Sequence, residues 1–388
     1  MAMLMRYVML MSQMNKEPEG RQEKMDSKKT LLTVVVPVYN VEKYLGDCLD
    51  SLLSQTVVDH KIVVVNDGTN DSSGEIAKNY AATYPELIQY VEQENKGLGA
   101  ARNTGLELVD TEYVTFLDSD DWWDSLFVEK VKKQLAHHGE MPDIIFTLPW
   151  IYDNVSGRVI AWYDKPIFDE LFFPDKGGNE NAISKTISVL SNCRLFELEA
   201  NACRRIYRTA FLKQENFAFP VGVKWEDVQP HFHLLKKAKR CIGVRSTGFF
   251  YRINTGGQIT SGGGASRLDL FTVFGDTLQM AYDDHWPSED IGYILRMLYS
   301  FSTWSIGLTN QDYIGQLLEK LHKLFGAIPK KYFKVYFNHC SPQPKTDFLL
   351  AVVMRSPFFR ILKDYRFREY CKRSRVKFWK IRDKIRRR

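Results

Sequence analysis

Four carboxylates crowd the stretch TFLDSDDWWD, at positions 118, 120, 121 and 124, directly behind the apolar run EYVTFL. Like charges at this spacing repel. They are tolerated when a cation sits among them or when a helix N-terminus follows. One acid is enough to cap a helix starting near Trp122, so capping leaves most of the cluster unexplained. The remaining reading is a hard divalent cation. Such an ion takes one or two carboxylates and completes its shell with waters and substrate phosphates.

A second acidic pair, Glu226-Asp227 in KWEDVQPHFHLL, also precedes a helical pattern. It suits capping and, beside a nucleotide–metal site, it suits a general base. Asp67, in VVVNDGT, suits the imide N–H of a uracil ring or an Asx-type turn. The run Gly97-Leu98-Gly99-Ala100-Ala101-Arg102 has a faint dinucleotide-loop spacing. It follows the third strand rather than the first and carries Arg at the last glycine position, which argues against a dehydrogenase. A backbone approaching a diphosphate, with Arg102 near, remains open.

The elements around these residues alternate. TVVVPVYN (33–40), KIVVVNDG (61–68), LIQYVEQENKG (87–97) and EYVTFLD (112–118) read as buried strands. Between and after them, 41–55, 72–85, 98–109 and 122–139 have helical period, with Ser72 or Ser73 as an N-cap and Gly139 as a C-cap. The pattern predicts an α/β fold with a doubly wound, mostly parallel sheet, which binds ligands at the carboxyl ends of its strands. Those ends are Tyr39-Asn40, Asn66-Asp67-Gly68, Glu94 to Gly97 and Asp118 to Asp121, and all are polar. Strands are expected within 143–163, a strand and helix start in 201–215, a helix within 224–239, a strand pair over 240–254, and a Gly/Ser-rich hinge over 255–266. Residues 267–388 read as mostly helical.

The chain has 388 residues, 44% of them hydrophobic, and a net charge of +6. The basic excess is local. Residues 355–388 hold 15 Lys/Arg against 3 Asp/Glu, so the rest of the chain is acidic. The tail 358–388 spaces apolar residues among these charges, the pattern of an interfacial helix on an anionic membrane. A solvated basic tail is the alternative. No module for reading nucleic acid accompanies the charge, so no nucleic-acid partner is expected. The longest apolar runs fall far short of the ~20 residues of a membrane span. Six cysteines lie scattered without ligand spacing and read as reduced thiols in a cytosolic setting. Residues 1–30 read as a leader, with Met25 a natural start.

Five segments carry a resemblance: TVVVPVYNVEKYLGDCLDSLLSQT, VVVNDGTNDSSGEIAKNY, ENKGLGAARNTGLE, YVTFLDSDDWW and KWEDVQPHFHLL. In this order they resemble a family 2 inverting glycosyltransferase of GT-A fold, of the bacterial cell-surface polysaccharide type. The likeness runs over roughly residues 31–260. It departs at Asn66, where the family often has Asp. The resemblance implies a GT-A domain over 31–264, with a nucleotide-sugar half (31–140) and an acceptor and base half (141–264), then a helical C-terminal region (265–388). It implies that Pro37, Tyr39 and Asn40 line the base and ribose and that Asp67 binds uracil. Lys96, Gly97 and Arg102 face the donor phosphates. Asp118 and Asp120 form the metal motif for Mn²⁺ or Mg²⁺, with Asp120 the firmer ligand. Asp227 is the catalytic base with Glu226 beside it, and Tyr251-Arg252 contact diphosphate or acceptor. The implied partners are a UDP-sugar and a glycan or lipid-linked acceptor, at the inner face of the cell membrane. A non-catalytic scaffold of the same fold and a metal-dependent nucleotidyltransferase are the rivals. The second would want a Gly-rich loop after the first strand, and PVYNVEKY has none.

Overall fold

The computed structural model describes residues 30–175, 182–256 and 262–336. Strand β1 (Leu32–Val38) is buried at every position and β2 (His60–Asp67) at all but one. Strands apolar on both faces need cover on both. It comes from α1 (Leu45–Leu53), α2 (Ser73–Thr83) and α3 (Leu98–Glu107). β1 pairs in parallel with β2 and with β4 (Tyr113–Phe116), and β2 pairs in parallel with β3 (Ile88–Gln93). This is the doubly wound half that the alternation predicts.

Beyond β4 the sheet is mixed. Strand β5 (Trp122–Trp123) precedes α4 (Phe127–Ala136), followed by β6 (Ile144–Asp153), β7 (Val159–Ala161) and α5 (Lys165–Phe172). Then come β8 (Arg205–Arg208), α6 (Thr209–Gln214), α7 (Val228–Lys237) and β9 (Cys241–Ile253). β8 runs antiparallel between β4 and β6, β9 runs parallel to β6, and β5 closes the far edge antiparallel to β9. The order is β3-β2-β1-β4-β8-β6-β9-β5, with β7 on β6. Helices α8 (Asp269–Asp283), α9 (Ser288–Leu308), α10 (Gln311–Ala327) and α11 (Lys330–Val335) follow. α9 is tied to α7 by Lys236–Asp290 (2.5 Å). Among the described residues no helix is long and apolar enough to cross a membrane. All but the last residue of the expected leader (1–30), and the basic tail (355–388), lie outside the described residues.

Two local readings are corrected. Trp122-Trp123 are strand, not the start of a helix. Trp122 stacks on Phe250 of β9 (5.0 Å), and Trp123 packs on Phe127 (4.2 Å), so pairing with β9 overrides helical period. The helix starts at Phe127 and is closed by His137 rather than Gly139. The expected strand pair over 240–254 is one strand of 13 residues. Its turn-like glycine is accommodated by register shifts against β6, where a Cβ on Gly248 would meet Thr147 Cβ at 2.9 Å.

Helix α3 is pressed against its surroundings at two glycines. A Cβ on Gly105 would stand 2.2 Å from Val35 Cγ1, and one on Gly99 would stand 2.2 Å from the Pro220 carbonyl oxygen. Gly→Ala in a helix ordinarily gains up to ~1 kcal/mol. Here overpacking, typically ~1–3 kcal/mol, opposes that gain. Gly99→Ala is therefore expected to lower the midpoint of urea denaturation, because the obstacle is backbone and cannot rotate away. An unchanged or raised midpoint would show that α3 has room to move.

Candidate active site

Pairing brings the carboxyl ends of β1, β2, β3 and β4 side by side, and their loops interlock. Asn40 sits in the left-handed region (φ +50°). Its N–H donates to Thr69 Oγ1 (2.8 Å), and its Oδ1 accepts from Thr69 Oγ1 (3.0 Å) and Asn70 N (2.9 Å). Val41 N donates to Ser73 Oγ (2.9 Å) and Glu42 N to Asp71 Oδ2 (3.0 Å). Ser73 thus serves the neighbouring loop, and Ser72 makes no side-chain cap bond. Burial pushes the Asp71 carboxyl up, but hydrogen bonds from Ser73, Glu42 N and Thr69 outweigh it and hold it at about 2. Tyr39, half-exposed, projects from this locked frame, while Pro37 is buried in β1.

Asp67 ends β2 and is buried. Its Oδ1 accepts from Gln93 Nε2 (2.8 Å) and Lys96 N (2.9 Å), and its Oδ2 from Gly97 N (2.9 Å). The turn that NDGT suggested is made by its neighbour, since Asn66 Oδ1 accepts from Thr69 N (3.0 Å). Asp67 instead fixes the loop entering α3. Gly97 supplies that loop's φ of +87°, and the Lys96 side chain is exposed.

The second cluster centres on Arg102, whose side chain is 2% exposed. Nη2 donates to Asp118 Oδ1 (2.9 Å), and Nη1 to Glu226 Oε1 (2.7 Å) and Asp227 Oδ1 (2.8 Å). The acid at the end of β4 and the pair before α7 are thereby joined. Asp227 occupies the N-cap position of α7 but makes no side-chain cap bond, so its carboxylate is not employed as a cap. The chain enters this pair through Trp225 at φ +67°, a conformation a bulky residue holds only when its surroundings enforce it. Of the two acids, Glu226 is 8% exposed and Asp227 19%, so Asp227 is the one with access to solvent. Burial pushes both up. Glu226 reaches about 7, with the charge of Asp227 adding to burial and Arg102 opposing. Asp227 is raised by burial, with Arg102 opposing and Asp118 adding.

Asp120 and Asp121 lie ahead of β5, not at a helix start. Burial and the charge of Asp118 push Asp120 up to about 6. Asp121 Oδ1 accepts from Arg252 N (2.8 Å), while its Oδ2 is buried without a hydrogen-bond partner. Arg252 is engaged locally. Its Nε donates to the Asp120 carbonyl (2.8 Å), its Nη2 pairs with Asp47 (3.1 Å), and its guanidinium lies 4.5 Å from the Trp122 ring centre. Tyr251 packs edge-on to Trp162 (5.4 Å). Among the described residues no group of three or more His, Cys, Asp or Glu forms a complete ligand cage.

Residues 33–193 match the family model of glycosyl transferase family 2. Over that segment, about two fifths of its length, the chain is similar to that family. It is 34% identical over 225 residues to the glycosyltransferase GlyA of Streptococcus pneumoniae, covering 58% of this chain and 31% of GlyA. It is 40% identical over 234 residues to the putative glycosyltransferase EpsH of Bacillus subtilis, covering 58% of this chain and 61% of EpsH. The chain thus spans less than two thirds of either relative. In three dimensions it is similar to residues 1–349 of S. aureus TarS, at TM-score 0.64 and 20% identity over 89% of this chain and 91% of that one. TarS has also been solved with UDP-GlcNAc and with UDP. This likeness shows the GT-A fold, followed here by C-terminal helices.

The structure brings Asp118, Glu226 and Asp227 onto Arg102 and sets Asp67, Lys96 and Gly97 in a second contact group. Arg102 was expected on the donor phosphates. It is buried and bonded to three carboxylates. Sequence reasoning missed Asn103, whose Nδ2 donates to the Phe219 carbonyl (2.9 Å) and whose Oδ1 accepts from Phe219 N (2.7 Å). It also missed Cys203, buried 4.0 Å from Arg102 Nη2. An Arg-Asn pair inside a short glycine-containing helix was the available signal for the first. Nothing in the sequence marks the second.

Proposed function

We propose that the enzyme is an inverting glycosyltransferase that moves a sugar from a UDP-sugar to a hydroxyl of a glycan or lipid-linked acceptor in cell-surface polysaccharide synthesis. The convergence of Asp118, Glu226 and Asp227 on one guanidinium, beside the nucleotide loops, is the observation that carries this reading. Three carboxylates within one guanidinium's reach suit a site where a donor's leaving group and an acceptor's proton are handled together. Pro37, Tyr39 and Asn40 line the base and ribose, and Asp67 takes the uracil N–H. Lys96 and Gly97 face the diphosphate, with Tyr251 and Arg252 on the diphosphate or the acceptor. Asp227 accepts the proton of the acceptor hydroxyl, and the oxygen attacks the anomeric carbon opposite the leaving diphosphate. One displacement inverts the centre and needs no nucleophile from the chain.

Asp118 and Asp120 would hold Mn²⁺ or Mg²⁺. The fit is supported by the raised Asp120 and by the unpartnered Asp121 oxygen, signs of acids gathered with too little positive charge. When bound, the ion would offset charge building on the leaving diphosphate. A panel of nucleotide sugars with Mn²⁺, read by thermal shift and UDP release, tests the reading. Stabilisation by uridine nucleotides with turnover of at least one UDP-sugar is expected. Binding without any turnover, for every acceptor supplied, would favour the non-catalytic scaffold.

The basic tail supports association with an anionic membrane surface, at its inner face. Each basic residue near such a surface contributes roughly 1 kcal/mol, so even half of the 15 Lys/Arg suffices for reversible attachment. Full-length protein should co-sediment with anionic liposomes at low salt and release at high salt. A chain ending before Ser356 should stay in the supernatant. Equal pelleting of both forms would rule the tail out as an anchor.

A further inference from the structure

We infer that Arg102 is a positioning residue that couples the donor side of the site to the base, rather than a ligand of the donor phosphates. The inference rests on the assignment of Asp227 as base. One guanidinium bonds Asp118, which ends the β4 segment, and Asp227, which lies more than a hundred residues later. No other contact described above joins these two acids. The relative placement of leaving-group site and base therefore runs through this side chain.

Arg102 is held too firmly to turn toward a ligand. It is fully buried, with its guanidinium 5.9 Å from the Phe116 ring centre and 5.4 Å from that of Phe219. Nη1 already serves two carboxylates and Nη2 a third. The helix that carries it is bracketed to the segment leading into the acid pair. Asn103 bonds the Phe219 backbone in both directions, and Gly99 lets the Pro220 carbonyl approach closely. Residues 99, 102 and 103 of α3 thus all grip residues 219–227. The glycines and the Arg-Asn pair of GLGAARNTG act as one bracket: the glycines give the approach, Asn103 the registration and Arg102 the clamp.

The planar fork matters. Guanidinium offers donors in fixed directions to several carboxylates at once, whereas an ammonium is a compact point charge on a flexible stem. Arg102→Lys keeps the charge and loses the geometry. A displacement of ~1 Å at a reacting group can cost about 10²-fold in rate, while the proposed nucleotide contacts of Tyr39, Asn40, Asp67, Lys96 and Gly97 do not involve Arg102.

The test compares parent, Arg102→Lys, Arg102→Ala and Asp227→Asn. UDP affinity is measured by calorimetry in Mn²⁺, and kcat and KM by UDP release from UDP-GlcNAc. Both Arg102 variants are expected to bind UDP within about threefold of the parent and to lose about 10²-fold in kcat. Millimolar guanidinium should restore part of the Arg102→Ala rate, which a purely structural defect would not allow. A tenfold or greater loss of UDP affinity at unchanged kcat would overturn the inference and return Arg102 to the phosphates. If Arg102→Ala does not fold, Arg102→Lys decides by the same two numbers. An Asp227→Asn enzyme with normal turnover would remove the base assignment itself. An inactive Asp227→Asn beside a normal Arg102→Lys would remove the clamp alone.

Discussion

Asp227→Asn is expected to bind uridine nucleotides as the parent does and to transfer sugar about 10²–10⁴-fold more slowly, the ordinary worth of a general base. The amide keeps the shape of the side chain and cannot accept the proton. The fold should tolerate the change. Arg102 retains Asp118 and Glu226 as partners, and the cluster sheds one of three negative charges around a single cation. Glu226 is the obvious substitute base, but it is the more deeply buried of the two acids and stands behind Asp227 in access to solvent. Near-normal turnover in the variant would transfer the role to Glu226 or elsewhere.

The same geometry sets the pH dependence. Both acids are raised above the ordinary carboxylate range, chiefly by burial. A base works deprotonated, so kcat should fall as pH drops through the raised value, above the pH at which a surface aspartate titrates. Because the two acids share Arg102, the limb belongs to the pair. Asp227→Asn should alter that limb as well as lower the plateau. An unaltered limb in the variant would place the titrating group outside the pair.

The parallel half of the sheet was legible because its signals are local. β-branched runs ending in turn residues name strands, and the polar residues at those ends name the binding edge. The mixed half of the sheet was less legible because its strands are held by partners far away in sequence. Trp122-Trp123 has the period of a helix start and becomes strand only because Phe250 offers an edge. Glu226-Asp227 has the appearance of a cap, and only a three-dimensional partner shows otherwise. That partner, Arg102, comes from the opposite half of the domain. Residue types could therefore identify the acids, whereas which acid faces which cation was decided by packing of α3 against residues 219–227.

Asp120→Ala is expected to abolish the metal dependence of donor binding. In the parent, Asp118 has Arg102 as its cation. Asp120 is in none of the ion pairs found among the described residues, and Arg252, whose charge only partly opposes the upward push, donates to its carbonyl. An acid pushed up to about 6 by burial and by a neighbouring acid is under-compensated in the bare protein. A divalent ion held by Asp120 would supply the missing charge, with the proposed donor's diphosphate among its remaining oxygen ligands. Removing Asp120 takes away this ligand and relieves the repulsion on Asp118, so the variant should fold at least as stably as the parent. The parent should bind UDP at least tenfold more tightly in Mn²⁺ than in EDTA, for a gain of about 1.4 kcal/mol or more. Asp120→Ala should show the same affinity in both. Protons compete with the ion for the carboxylate, so the parent's gain should shrink as pH falls below about 6. If Asp120→Ala keeps the parent's full Mn²⁺-dependent gain by calorimetry, the ion is held elsewhere and the acidic cluster needs another explanation.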